Sequence, residues 1–97
     1  MSLPISTKVS TGNLATDFLV STETIRVDAI LISHSGAGSH QLIFYDSSQA
    51  TQYIVVNLPG SALNVWLNQS WIADGGLFIP ADDSTLDITV FYSSSGV

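Results

Sequence analysis

The sequence predicts an all-β protein, a small single-domain antiparallel β-sandwich or jelly roll of about seven short strands. Three observations support this fold class. Apolar and polar residues alternate with a period of two in short segments, which is typical of strands with one buried face. Clusters of Gly, Pro, Asp, Asn and Ser separate these segments at short intervals. Hydrophobic residues make up 45% of the 97 residues, so the chain has enough apolar surface to form a core.

The chain is predicted to form one domain with an arm at its N-terminus. Residues Met1–Ser10 are assigned to the arm, because Pro4 and the alternating Ser and Thr residues provide little apolar surface to bury. Residues 11–97 form the sandwich. The chain is not expected to cross a membrane, because no apolar run approaches the roughly 20 residues that a spanning helix needs. The first residues also lack the basic and apolar regions of a signal peptide.

The first half of the sandwich is predicted to contain four strands: Asn13–Val20, Ile25–Ile32, Gln41–Tyr45 and Tyr53–Val56. In the first of these, Leu14, Phe18 and Val20 are expected to be partly buried. In the second, period-two alternation places Ile25, Val27, Ala29 and Leu31 on one face and Arg26, Asp28, Ile30 and Ile32 on the other. This strand is expected to be half-exposed at its start and buried on both faces at its end. The glycine-containing segment His34–His40 is predicted to be a loop, and Asp46–Gln49 a turn.

The second half contains one ambiguous segment, Ser61–Asp74. Leu63, Trp66, Leu67 and Trp71 fit the spacing of a helix, whereas Leu63, Val65 and Leu67 fit one face of a strand. We favour strand, because the segment is short and its surroundings are β. The remaining predicted elements are a turn at Asp74–Gly76, a strand at Leu77–Ile79, a turn at Ala81–Ser84, a strand at Thr85–Tyr92 and a flexible tail at Ser93–Val97. The strand at Thr85–Tyr92 is the clearest, with Leu86, Ile88, Val90 and Tyr92 facing inward.

The charge composition limits the partners that this chain can bind. Lys8 and Arg26 are its only strong bases against eight acidic residues, which gives a formal net charge of −6. Two basic side chains cannot neutralise a row of phosphates, so no nucleic-acid partner is expected. Attraction to an anionic membrane surface is excluded for the same reason. Because the chain has no cysteine, it can form neither a disulfide nor a thiolate metal site.

No catalytic residues, metal ligands or cofactor are predicted. His34 and His40 could approach one another across a hairpin, but a metal site would need a third ligand, and Asp46 is the nearest carboxylate in sequence. Asp74, Asp82 and Asp83 lie in turns, where Asp is common for its local hydrogen bonds, and their spacing matches no calcium loop. The sequence has no nucleophile elbow, so the chain is predicted not to be an enzyme.

Trp66 and Trp71 are the most informative large residues. A tryptophan in a small sandwich can belong to the core, anchor a subunit interface or provide a flat surface for a sugar ring. The sequence leaves these three roles open.

The succession of strands resembles that of small β-sandwich structural proteins of tailed bacteriophages. The resemblance is carried by Ile25–Ser33, Gly36–Phe44, Gly76–Pro80 and the strand Leu86–Val90 that leads to Tyr92, so it covers about two-thirds of the chain. Proteins of this kind form trimers on the capsid as decoration (cement) proteins or lie in tail fibres.

The resemblance implies a non-enzymatic virion protein on the capsid exterior, which would bind the major capsid protein and assemble as a homotrimer. On this reading the arm contacts the capsid through Leu3, Pro4, Ile5 and Lys8, and Trp66 and Tyr92 lie at the trimer interface. The alternative is a tail-fibre or receptor-binding domain. In that case Trp71, His34 and His40 would contact a host glycan.

Overall fold

The computed structural model describes residues 8–35, 38–60, 63–82 and 86–94, and the described residues form nine strands and no helix. The strands are β1 (Lys8–Asn13), β2 (Phe18–Ser21), β3 (Ile25–His34), β4 (His40–Tyr45), β5 (Gln52–Leu58), β6 (Leu63–Leu67), β7 (Trp71–Ala73), β8 (Leu77–Ile79) and β9 (Leu86–Ser94). The predicted all-β class is therefore confirmed. No helix of the described residues is long and apolar enough to cross a membrane.

The strands form two antiparallel sheets with the topology of a jelly roll. One sheet has the order β1-β9-β3-β6, with β7 also paired to β3, and the other has the order β2-β8-β4-β5. If β6 and β7 are taken as one interrupted strand, the chain is a long antiparallel ribbon in which β1 pairs with β9, β2 with β8, β3 with β6 and β7, and β4 with β5. The pairs β3–β9 and β4–β8 then close the rolled ribbon into two sheets.

The core lies between the two sheets and follows the period-two pattern of most strands. Leu86, Ile88 and Val90 of β9 are fully buried, as predicted, and Tyr92 packs against the core while remaining partly exposed. Strands of the opposite sheet contribute further buried side chains, namely Leu42, Phe44, Leu58, Leu77 and Ile79. Burying this apolar surface supplies most of the free energy that holds the two sheets together.

Strand β3 departs from the predicted alternation because it contains a β-bulge. Val27 pairs with Tyr92 and Ala29 pairs with Phe91, so Asp28 is the extra residue on the β3 side. The bulge reverses which residues face inward. The core face consists of Ile25 and Val27 before the bulge and of Ile30, Ile32 and His34 after it, so the prediction of one continuous face was wrong. The Arg26 Nε atom lies 2.6 Å from Asp28 Oδ1 and the Ser93 hydroxyl donates to Asp28 Oδ2.

A turn divides the single strand predicted for Asn13–Val20. The Asn13 side chain accepts a hydrogen bond from the Ala15 N–H at 2.8 Å, and the Thr16 N–H donates to the Asn13 carbonyl. Asn favours this local bonding over continued strand pairing. Leu14 is completely buried rather than partly so. Phe18 and Val20 pack against the core from β2.

The boundaries at both ends of the chain also differ from the prediction. Lys8–Ser10, assigned above to the arm, form the first half of β1 and pair with Tyr92–Val90 of β9. Ser93 and Ser94, assigned to the tail, belong to β9 and pair with β3. In both cases the backbone forms hydrogen bonds with the neighbouring strand. These bonds do not depend on the side chains, so polar residues can extend the strand. Residues 1–7 and 95–97 lie outside the described residues.

The ambiguous segment at 61–74 contributes two strands, as favoured above. β6 continues the pairing of β3 from Ile30 to His34, and β7 pairs with Ile25–Val27 of the same strand. Val65, Leu67 and Trp71 pack against the core, whereas Trp66 points to the other face and is 50% exposed. The residues Asn68–Ser70 between β6 and β7 are exposed and do not pair with β3.

Candidate binding cleft

A cleft of about 710 Å³ opens between the two sheets at one edge of the sandwich. Gln52, Tyr53 and Ile54 of the edge strand β5 line one side. The other side is formed by β6, β7 and the segment between them, from Trp66 to Trp71. The volume lies within the range of small-molecule sites in proteins.

Tyr53 and Trp71 form a fixed aromatic pair on the wall of this cleft. Their ring centroids lie 5.2 Å apart with the planes tilted by 58°. The Tyr53 hydroxyl donates a hydrogen bond to the Gly76 carbonyl at 3.0 Å and accepts one from the Gly75 N–H at 2.9 Å. Because the Tyr53 ring is attached to β5 at one end and hydrogen-bonded to backbone at the other, it has little freedom to move. Trp71 therefore packs against a rigid surface.

Trp66 forms the rim of the cleft and belongs to the outer face of its sheet. Its ring packs edge-on against Phe91 of β9, with 5.5 Å between centroids. Half of its surface stays exposed. Both tryptophans of the chain therefore line one cleft, an arrangement that the sequence did not reveal.

Among the described residues, the lining of the cleft has no charged side chain. Besides the Tyr53 hydroxyl and the two indole N–H groups, its polar groups are three side-chain amides and one hydroxyl, from Gln52, Asn68, Gln69 and Ser70. All four residues are exposed. A primary amide offers both donors and an acceptor, so this lining suits a ligand that carries neutral groups of both kinds.

The two histidines lie together, as the sequence suggested, but neither lines the cleft. Their rings make an edge-to-face contact with 5.2 Å between centroids. His34 is buried, and its Nε2 lies 3.0 Å from the Gly38 carbonyl oxygen and 3.1 Å from the Pro59 carbonyl oxygen, so this nitrogen is the donor. His34 thus ties the loop before β4 to the end of β5.

His40 faces Asp82 rather than Asp46, the nearest carboxylate in sequence. Its Nδ1 lies 3.1 Å from Asp82 Oδ2, whereas Asp46 lies in the β4–β5 turn and bonds to that turn. Within the described residues, no group of three or more His, Cys, Asp or Glu side chains is arranged to hold a metal ion. Asp83, one of the turn carboxylates considered above, lies outside the described residues.

Lys8 and Tyr92, two of the residues predicted to contact partners, are cross-strand neighbours in β1 and β9. Together with Val20–Ile25 they line a shallow depression of about 330 Å³. Lys8 is exposed and Tyr92 is partly buried. Leu3, Pro4 and Ile5 lie outside the described residues, so their role as capsid contacts stays a prediction.

Both outer faces of the sandwich carry apolar side chains. On the β1-β9-β3-β6 sheet, cross-strand pairing brings together Val9 with Phe91 and Leu31 with Trp66. We call these four residues the Trp66 band. On the other sheet, pairing joins Leu19 with Phe78 and Ile43 with Val55, and we call these four the Val55 band.

The most exposed members of the two bands are Val9 (57%), Leu19 (51%), Trp66 (50%) and Val55 (45%). Their exposure leaves apolar surface on both faces of a domain of only 97 residues. In the Trp66 band the rings of Trp66 and Phe91 are in contact, and contiguous apolar surface commonly marks an interaction site.

No protein-family model matches the chain, and it has no significant match among curated protein sequences or solved structures.

Proposed function

We propose that this chain is a non-enzymatic structural protein of a bacteriophage virion, a capsid decoration protein that assembles as a homotrimer and binds the major capsid protein on the capsid exterior. The observation that carries the proposal is the pair of apolar bands on the outer faces of the sandwich. The resemblance of the strand succession to small phage proteins and the jelly-roll topology, which is widespread in capsid proteins, support it.

The scarcity of charge makes assembly less costly for this chain. Only 10% of its residues are charged, and burying a neutral polar surface costs less free energy than burying Lys and Glu side chains. Val9 and Val55, on opposite faces, could each contact a different neighbour. A subunit with two contact faces can bridge neighbours in a lattice, and many equivalent weak contacts then add up to firm attachment.

The N-terminal residues are the proposed capsid contact. β1 forms one edge of its sheet, so its outer backbone groups can pair with an added strand. This edge strand begins at Lys8, the first described residue. Deletion of residues 1–7 should weaken capsid binding in a pull-down while leaving the sandwich folded. Unchanged binding would show that the contact lies elsewhere.

Self-association provides a first test. Val9→Lys places a charge in the Trp66 band and Val55→Lys places one in the Val55 band, whereas Thr51→Lys adds the same charge to an exposed position before β5. We expect multi-angle light scattering to give a trimer for the wild type and for Thr51→Lys, and a smaller species for at least one band variant. A monomeric wild type would argue against the trimer.

Imaging of particles decides the location. Cryo-electron microscopy of native particles with and without this protein should show additional protrusions on the capsid exterior only when it is present. Density confined to the tail would favour the alternative below. Absence of the protein from every particle would overturn both.

The alternative is a tail-fibre or receptor-binding domain, and one observation favours it. Trp71, the residue predicted to contact a glycan, lines the cleft between the sheets. The jelly roll is also common among lectin domains. His34 and His40, predicted to share this contact, lie outside the cleft lining, and His34 is buried.

A further inference from the structure

We propose that the cleft between β5 and β6–β7 binds a neutral oligosaccharide, with Trp71 contacting the face of a sugar ring and Trp66 at the rim of the cleft. This inference concerns the ligand of the cleft and holds whether the protein lies on a capsid, in a tail or in another assembly. It goes beyond the proposed scaffold role, because it assigns a small-molecule site to the domain.

The aromatic residues provide flat surfaces of the kind that sugar rings require. One face of a pyranose ring presents C–H groups, which pack on an indole or phenol ring and remove apolar area from water. Trp71 is partly exposed and is supported by Tyr53, whose hydroxyl is fixed by Gly75 and Gly76. A ligand that packs on Trp71 therefore orders few additional side chains, which lowers the entropic cost of binding.

The polar residues provide the hydrogen bonds that sugar hydroxyls require. A hydroxyl both donates and accepts, and the side-chain amides of Gln52, Asn68 and Gln69 do the same. These amides lie on both sides of the cleft, from β5 and from the segment between β6 and β7. A purely apolar ligand would leave them without hydrogen bonds, which disfavours it.

Charge selects a neutral ligand over an acidic one. None of the described residues that line the cleft is charged, and the whole chain carries a net charge of −6. An anionic sugar would approach a negative protein without a basic side chain in the cleft to pair with its charge. A volume of about 710 Å³ leaves room for more than one sugar unit.

Intrinsic fluorescence offers a direct measurement, because the chain has only two tryptophans and both line the cleft. The full-length protein is titrated with lactose, maltotriose and chitotriose, and with sialyl-lactose as the charged counterpart of lactose. We expect a saturable change in fluorescence with at least one neutral sugar. Sialyl-lactose should bind more weakly than lactose.

Variants locate the site. Trp71→Ala should reduce affinity by about tenfold or more. Gln69→Ala, at an exposed position that should not affect folding, should reduce it by about two- to tenfold. Ile72→Ser is the matched control. Ile72 is the next residue of β7, is 51% exposed and lies outside the cleft lining, so its replacement should leave binding unchanged.

Three results would overturn the proposal. The first is the absence of saturable binding to any neutral oligosaccharide, both in these titrations and on a glycan array. The second is binding that survives both Trp71→Ala and Gln69→Ala, which would place the sugar elsewhere. The third is tighter binding of sialyl-lactose than of lactose. If Trp71→Ala fails to fold by circular dichroism, Gln69→Ala and a Trp66→Ala variant still decide the location.

Discussion

The ring of Trp71 packs at 5.2 Å from the ring of Tyr53, and so joins a strand of one sheet to a strand of the other at the open edge of the sandwich. Tyr53 in turn bonds through its hydroxyl to Gly75 and Gly76, in the turn that follows β7. This contact links the wall of the cleft to the backbone of the turn.

Tyr53→Phe should destabilise the fold and loosen the cleft. The change removes the acceptor of the Gly75 N–H and the donor to the Gly76 carbonyl, and the Gly76 residue is buried. We expect a loss of about 1–3 kcal/mol in the free energy of unfolding, measured by urea denaturation. Tyr45→Phe is the control, because no hydrogen bond of the Tyr45 hydroxyl is present among the described residues. Equal losses for the two variants would contradict the assigned role of Tyr53.

Gly76→Ala should be among the most destabilising single changes in this chain. Gly76 has φ = 89°, and a Cβ at this position would collide with the Ser21 carbonyl. The Cβ would collide with backbone, which cannot move aside as a flexible side chain can. We therefore expect a loss of more than about 2 kcal/mol in the free energy of unfolding, measured by thermal or chemical denaturation.

Gly38→Ala measures the cost of placing alanine at a positive φ without the cost of a steric collision. Gly38 has φ = 101°, but a Cβ there would meet no atom of the described residues within 4 Å. The only penalty is that alanine disfavours a positive φ, so we expect a loss of about 1 kcal/mol in the free energy of unfolding. A Gly38 variant as unstable as the Gly76 variant would show that collision with Ser21 is not the deciding factor.

Asp46 should make the β4–β5 turn sensitive to acid. The Thr51 N–H, the Ser48 hydroxyl and the Ala50 N–H donate to its carboxylate and hold the pKa of Asp46 below its usual value. A lowered pKa in the folded state stabilises the protein above the pKa of the unfolded state, about 3.9. This stabilisation is lost as the pH falls through the lower pKa of the folded state.

The difference in stability between the wild type and Asp46→Ala should therefore be constant from pH 5 to 7 and should shrink below about pH 4. Asp46→Asn serves as the control, because its amide oxygen can accept a hydrogen bond at any pH. Its stability relative to Asp46→Ala should not decline with acid. Urea denaturation at several pH values measures both differences, and a gap that widens on acidification would contradict the assignment.

His34→Leu should destabilise the end of the sandwich where β3, β4 and β5 meet. The substitution preserves an apolar fit at a position that is 3% exposed, but it removes the donor to the carbonyls of Gly38 and Pro59. We expect a loss of about 1–3 kcal/mol in unfolding experiments. Ser33→Ala, at the exposed neighbouring position, should change stability by less than about 0.5 kcal/mol. A neutral His34→Leu variant would show that these bonds contribute little.

The strand pattern was predictable wherever alternation was regular. In β9, Leu86, Ile88 and Val90 are buried as predicted, because the period-two rule needs only the local sequence. In β3 the same rule was wrong beyond Asp28, since the bulge reverses the two faces. Apolar residues occupy both faces of β3 near its end, so no local signal marks the position of the bulge.

The proximity of His34 and His40 was expected from the sequence, but the hairpin that was expected to cause it does not form. β3 and β4 lie in different sheets, so the two rings meet across the sheets rather than across a hairpin. The cleft was not predicted. Trp66 and Trp71 lie on two strands separated by Asn68–Ser70, and Trp71 packs against Tyr53 of the other sheet. Only the pairing of distant strands brings these residues together.

By itself the sequence determined the all-β class, the position of most strands and the scarcity of charged residues, because strand periodicity, turn residues and composition can be read without the fold. The tertiary structure decided the strand order of the jelly roll, the inward face of β3, the burial of His34 and the cleft beside Trp71. These features depend on contacts between residues that are far apart in the chain. Each is fixed by which strands pair and in which register, and a single chain sequence leaves that choice open.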